Sequence, residues 1–140
     1  MTTRCIIVDD SPTDAYLAQK IAVELFDEVL VVAKSADLLK HIGSFRPDIV
    51  FMDVMLGWEN GLSLIQEVRH RDDESSIVPF VVLSSKSSEE DIEWAKRQGA
   101  GAYVIKPATR DRMEAAVRGL FLGWAGPSGV TGKNVTDLYV

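Results

Sequence analysis

Apolar residues rich in Val and Ile gather in five short runs, at 4–8, 29–33, 49–53, 78–83 and 102–105. Several of these runs are apolar throughout rather than alternating, the pattern of strands covered on both faces. Between them lie segments whose apolar residues recur three and four positions apart, as on one face of a helix. Ser11 is placed to cap the first, with Pro12 at its first position and Asp14 at its third. Ala15, Leu17, Ala18, Ile21, Ala22 and Leu25 form its stripe. Ser35 opens a shorter helix carrying Leu38, Leu39 and Ile42, closed by Gly43. A third runs from Leu62 to Arg71. Ser87 and Glu90 form a capping-box pair before a fourth, which ends near Gly99. Thr109 caps a fifth, with Met113, Ala116, Val117, Leu120 and Phe121 on one face. Strand followed by helix, five times over, predicts an α/β fold with a parallel sheet and helices on both faces. Ligands of such sheets bind at the carboxyl ends of the strands, near the point where strand order reverses.

Those ends carry polar residues of a particular kind. The first strand ends in Asp9-Asp10, the third in Asp53, the fourth in Ser84-Ser85 and the fifth in Lys106-Pro107. A parallel sheet places all of them on one rim. Three carboxylates gathered in a partly desolvated cleft repel one another, and one would hold a proton unless a cation intervened. Mg²⁺ suits the set, being a hard ion that takes oxygen ligands, keeps several waters and stays open to a phosphate. Zinc does not suit it, because Cys5, His41 and His70 form no ligand spacing. A lysine and a hydroxyl beside such a cation make a place for a phosphoryl group, and a carboxylate can attack phosphorus to form an aspartyl phosphate. Asp53, on the middle strand, is the most central carboxylate and the expected acceptor. Asp9-Asp10 taken alone would fit a helix cap, and Lys106 alone a solvated lysine; the complete set decides against both.

Composition narrows the partners. The chain has 140 residues, which favours one domain, and its net charge of −6 argues against a nucleic-acid-binding surface. The single cysteine, Cys5, cannot form an internal disulfide and falls inside an apolar run, so a small buried hydrophobe in a reducing compartment is expected. No run approaches the ~18 apolar residues of a membrane span. The N-terminal MTTR leads straight into a strand without a signal-peptide core. A cytoplasmic location is expected, with no membrane partner.

Together IIVDD, FMDVML, VVLSS and AYVIKP resemble the receiver domain of two-component response regulators, over about residues 4–121. The resemblance implies a flavodoxin-like (βα)5 doubly wound sheet of strand order 2-1-3-4-5. It implies that Asp53 accepts a phosphoryl group from a sensor histidine kinase or a His-phosphotransfer protein. It implies Mg²⁺ held by Asp10, Asp53 and the main-chain carbonyl of Met55, with Asp9 acting through water. Lys106 would pair with Asp53 or its phosphate across a cis Lys106-Pro107 peptide. Ser84 would supply the hydroxyl that moves toward the phosphoryl group, and Tyr103 the aromatic that changes rotamer with it. Gly61 matches the family's glycine in the turn after Asp53. VDDSPT and WAKRQGAGAYVIKP look most like single-domain regulators of the chemotaxis and twitching-motility type.

The chain departs from the family pattern in places. Gly57 stands where many members have proline, which frees the loop beside Asp53. Ala108 replaces a common aromatic. Met55 and Lys86 occupy the two variable positions that flank the path of attacking water, and neither can orient water, so slow self-dephosphorylation is expected. Trp58 is placed to shield the site, and Trp94 is either packing or a partner contact. The run Arg69 to Glu74 reads as a solvated helix end and turn. The 19 residues after Phe121 read as a short Gly-rich tail without an effector domain. On that reading the chain is a stand-alone switch, a monomer and not an enzyme. Its output passes through the surface of the fourth helix, fifth strand and fifth helix to an unnamed protein, or it acts as a phosphate sink. The alternatives are a haloacid-dehalogenase-like phosphatase, for which the second aspartate two positions after the first is missing, and a receiver-fold module that binds without phosphate.

Overall fold

The computed structural model describes residues 2–57 and 59–121. Five strands, β1 (Arg4–Val8), β2 (Glu28–Val32), β3 (Ile49–Asp53), β4 (Phe80–Ser84) and β5 (Ala102–Ile105), pair in parallel in the order β2-β1-β3-β4-β5. Five helices alternate with them: α1 (Pro12–Leu25), α2 (Ser35–Phe45), α3 (Gly61–Arg69), α4 (Glu89–Arg97) and α5 (Arg110–Leu120). This is the flavodoxin-like order that the resemblance to receiver domains implies.

The strands are apolar throughout because both faces are covered. β3 and β4 are buried at every position. Successive side chains point to opposite faces of a strand, and two separate cores result. Ile6, Val8, Val50, Met52, Phe80 and Val82 pack with residues of α2, α3 and α4. Cys5, Ile7, Ile49, Phe51, Val81, Leu83, Ala102 and Val104 pack against α1 and α5. Full burial of a Phe51- or Ile7-sized side chain contributes about 1.5–3 kcal/mol each. Cys5 is one of these buried hydrophobes, and burial pushes its thiol well above the ordinary range.

Local signals set most helix boundaries. Ser11 Oγ accepts from the Asp14 amide at 3.3 Å, and Thr109 Oγ1 from the Arg112 amide at 3.2 Å. Three expected boundaries are different. α3 stops at Arg69 rather than Arg71. α2 runs through Gly43 to Phe45 and ends with Arg46 in the left-handed region at φ 56°. Pro47 disfavours a helical conformation in the residue before it and so stops the helix there. α4 is capped by Ser88 rather than Ser87, with Asp91 as the reciprocal partner: Ser88 Oγ accepts from the Asp91 amide at 3.1 Å and donates to Asp91 Oδ2 at 2.6 Å. Both bonds run through the Ser88 hydroxyl, so the helix keeps a side-chain cap one residue later than expected, without the acid's bond back to the cap amide that completes a capping box.

In the run Arg69 to Glu74, His70 and Asp72 to Glu74 are exposed as expected of a solvated helix end and turn, whereas the two arginines are half-buried. Arg69 lies over the Phe80 ring at 5.3 Å and donates to the carbonyls of Ser76 and Val78. Arg71 binds Asp73 at 2.8 Å and reaches the carbonyl of Leu39. Two long side chains therefore fold back onto backbone carbonyls, Arg69 onto those of the segment before β4 and Arg71 onto one of α2. Trp58 and the tail at 122–140 lie outside the described residues.

Candidate phosphoacceptor site

The site forms at the carboxyl rim between β1 and β3, where the chain's connections diverge to opposite sides. The Asp9 amide donates to the Val32 carbonyl at 3.0 Å, which carries the β1–β2 ladder one residue past Val8 and sets the first carboxylate on the rim. Asp9 is 2 % exposed, whereas Asp10 faces solvent. Asp53 ends the central strand. Carboxylate oxygens of Asp9, Asp10 and Asp53 all lie within 4.8 Å of one another.

Lys106 enters from the end of β5, whose position is tied to β4 by the Lys106 amide donating to the Ser84 carbonyl at 2.8 Å. The Lys106–Pro107 peptide is cis. The Lys106 ammonium donates to Asp9 Oδ2 at 3.0 Å, to Asp53 Oδ2 at 3.1 Å and to Asp14 Oδ2 at 2.9 Å. Burial by itself lowers the pKa of this lysine, but the hydrogen bonds to Asp14, Asp9 and Asp53 outweigh it and hold the ammonium above its usual range. Asp9 shows the opposite balance. Burial raises its pKa, and the bonds from the Ser11 amide and Lys106 only partly offset it.

The ordinary carboxylate value is 3.8, and folding raises it at Asp9. The native state is thus penalised increasingly as pH rises from the unfolded value through the folded one. Asp9→Asn removes the penalty: the metal-free variant unfolds a few degrees higher than the parent at neutral pH, and the difference vanishes below about pH 3, where Asp9 is protonated in both states. Thermal scans at several pH values check it.

The remaining rim residues divide by strand parity. Asp9, Asp53 and Lys106 continue the parity of the α1/α5 face; Ser84 and Tyr103 carry that of the α4 face. Ser84 is 3 % exposed, and its Oγ accepts from the Lys86 amide at 3.1 Å. Tyr103 points inward, 1 % exposed, its hydroxyl donating to the Lys86 carbonyl at 2.9 Å; burial raises its pKa. The Met55 amide donates to Asp53 Oδ1 at 3.1 Å. Gly61 could be no other residue: a Cβ there would stand 2.3 Å from the Asp53 carbonyl. Gly57 takes φ 61°, and its α-carbon faces Asp10.

Asp14 is a site residue that the sequence does not announce. Its only local signal is its place in the first turn of α1, a common position for an acid. Asp10, by contrast, makes no hydrogen bond among the described residues. Four carboxylates face one ammonium, so the rim stays strongly anionic. Its donors are all hard oxygens, and that chemistry fits a divalent cation such as Mg²⁺.

Comparisons with known proteins show the family to which the chain belongs. The family described as "Response regulator receiver domain" matches residues 5–118. Protein PilH of Pseudomonas aeruginosa is 30% identical over 120 residues, covering 86% of this chain and 98% of PilH. The DNA-binding response regulator MtrA of Mycolicibacterium smegmatis is 31% identical over 121 residues, and there the chain spans 50% of the relative's length. Among solved structures, the chemotaxis response regulator CheY4 of Vibrio cholerae superposes with TM-score 0.77 at 20% identity, over 86% of this chain and 100% of that one. The bacteriophytochrome response regulator RtBRR does so with TM-score 0.74 at 29% identity, over 89% and 81%. A match that runs from β1 into α5, and a relative at 30% identity spanned almost end to end, make this chain a member of the response regulator receiver domain family.

Proposed function

We propose that this chain is a phosphorylation-dependent signalling switch whose Asp53 accepts a phosphoryl group from a histidine kinase or His-phosphotransfer protein. The family takes phosphoryl groups from histidine kinases and binds Mg²⁺ at an acidic pocket. The observation that carries the reading is the convergence of Asp9, Asp10 and Asp53 with Lys106 donating into their midst. Asp10 and Asp53 would hold the metal directly with the Met55 carbonyl, and Asp9 through water. When bound, Mg²⁺ supplies positive charge that lets the acidic rim coexist with a phosphoryl group.

The protein's own residues do the rest. An Asp53 carboxylate oxygen forms the new bond to phosphorus while the donor's P–N bond breaks and imidazole leaves with the electron pair. Lys106 donates to the charge spread over the phosphoryl oxygens. Ser84 turns its hydroxyl toward the same group, and Tyr103 exchanges its bond to the Lys86 carbonyl for a new position. A shift in that equilibrium is the signal. The exposed face of α4, where Trp94 is 50% exposed, together with β5 and α5, is the output surface. Similarity to PilH over nearly its full length supports a stand-alone regulator of the chemotaxis or twitching-motility type.

Exposure of the protein to acetyl phosphate and Mg²⁺, followed by intact mass measurement, adds one phosphoryl group; no gain in mass would overturn the reading. A second expected result concerns loss of that group. Met55 is 54% exposed beside Asp53 and Lys86 is exposed beside Ser84, and neither a thioether nor an ammonium accepts a proton from an incoming water. Phosphate release therefore proceeds over minutes or longer. Release within seconds would contradict it.

A further inference from the structure

The Lys106 ammonium has three N–H donors, and three carboxylates already occupy them. A phosphoryl group on Asp53 needs one. The three present partners differ in what they lose on letting go. Asp9 has a side chain 0% exposed, and burial already disfavours its charge, so without Lys106 it would be a stranded anion. Asp53 bears the phosphoryl group and stays beside the lysine. Asp14 has a side chain 44% exposed and lies outside the group of carboxylates that can share a metal. Its carboxylate returns to water at little loss. Its amide remains held by Ser11 whatever its side chain does.

We infer that Asp14 is a placeholder at Lys106: its carboxylate occupies the ammonium donor that the phosphoryl oxygens later take, and so restrains phosphorylation of Asp53. The inference rests on the proposed phosphoacceptor role of Asp53. Asp14 gains and loses no proton in the step. The Asp53 oxygen–phosphorus bond forms, the donor's bond to phosphorus breaks, and acetate leaves with the electron pair when acetyl phosphate is the donor. The Asp14 carboxylate moves from Lys106 to solvent. Its negative charge also lies near the incoming dianion, so donor competition and Coulomb repulsion act in the same direction.

The test compares the full chain with Asp14→Asn and Asp14→Ala in Mg²⁺ buffer. Two quantities are read: the rate of phosphoryl uptake from acetyl phosphate by intact mass, and the binding of beryllofluoride, a phosphoryl mimic, by calorimetry. Both variants are expected to take up phosphate about three- to tenfold faster and to bind beryllofluoride tighter by a similar factor, as suits a partly exposed charge pair. A residue that merely supports α1 cannot yield a gain when removed. Equal or slower uptake in both variants, with the parent phosphorylated normally, overturns the placeholder role alone. No uptake by the parent overturns the phosphoacceptor reading instead.

Discussion

Asp53→Asn takes up no phosphoryl group from acetyl phosphate in Mg²⁺, under conditions in which the parent takes up one. The amide has the shape of the carboxylate but neither its charge nor its nucleophilic lone pairs, so the bond to phosphorus does not form. The variant folds. Lys106 keeps Asp9 at 3.0 Å and Asp14 at 2.9 Å, and the rim loses one of its repelling charges. Intact mass and a thermal scan on the same sample separate lost chemistry from lost structure. Phosphate on the variant, carried by Ser84 or another hydroxyl, would show that Asp53 is not the acceptor.

Lys106→Met has the largest effect on stability. The lysine side chain is 13% exposed, and its partner Asp9 is fully covered. Methionine fills the same volume without the charge, which leaves a buried carboxylate and its neighbours uncompensated. Removing one partner of a fully buried pair costs roughly 3–5 kcal/mol. The open Asp10 side of the cluster reduces this to about 2–4 kcal/mol in metal-free buffer at neutral pH, by the same reasoning. Two conditions should restore the variant: millimolar Mg²⁺, which replaces the missing positive charge, and mild acid, which neutralises Asp9, whose pKa burial raises. Denaturant titrations with and without Mg²⁺ check both. A variant as stable as the parent and indifferent to Mg²⁺ would mean that the ammonium does not hold the rim together. The same substitution removes the donor to the phosphoryl oxygens, so uptake of phosphate falls as well.

These two residues mark how far the chain could be read unaided. Asp53 was legible because β3 is apolar up to its last position, and a charge at the end of a buried run has to face the rim. Asp9 and Lys106 followed by the same reasoning on β1 and β5. Gly61 also announced itself, although only the 2.3 Å approach to the Asp53 carbonyl says why a side chain is barred there. The helix caps were approximate for a local reason: at Ser87-Ser88 two hydroxyls compete, and the chain's approach to α4 chooses the second. Asp14 was out of reach. Its bond to Lys106 joins residues 92 positions apart, and nothing in either local pattern demands it. Arg69 and Arg71 looked solvated because a charge in sequence carries no record of which backbone carbonyl its long side chain will find.

The alternation of strands and helices along the chain, the two-sided burial of the sheet and the identity of the acidic rim were determined by sequence alone. Each depends on the period of apolar residues and on which residue ends a run, and both are properties of neighbours in the chain. The tertiary structure decided which carboxylates share the one ammonium, that Tyr103 points inward onto the Lys86 carbonyl, and that Asp9 is covered while Asp10 is wet. Those outcomes depend on how separate elements meet at a single rim, where distance and exclusion of water, rather than pattern, set the electrostatics.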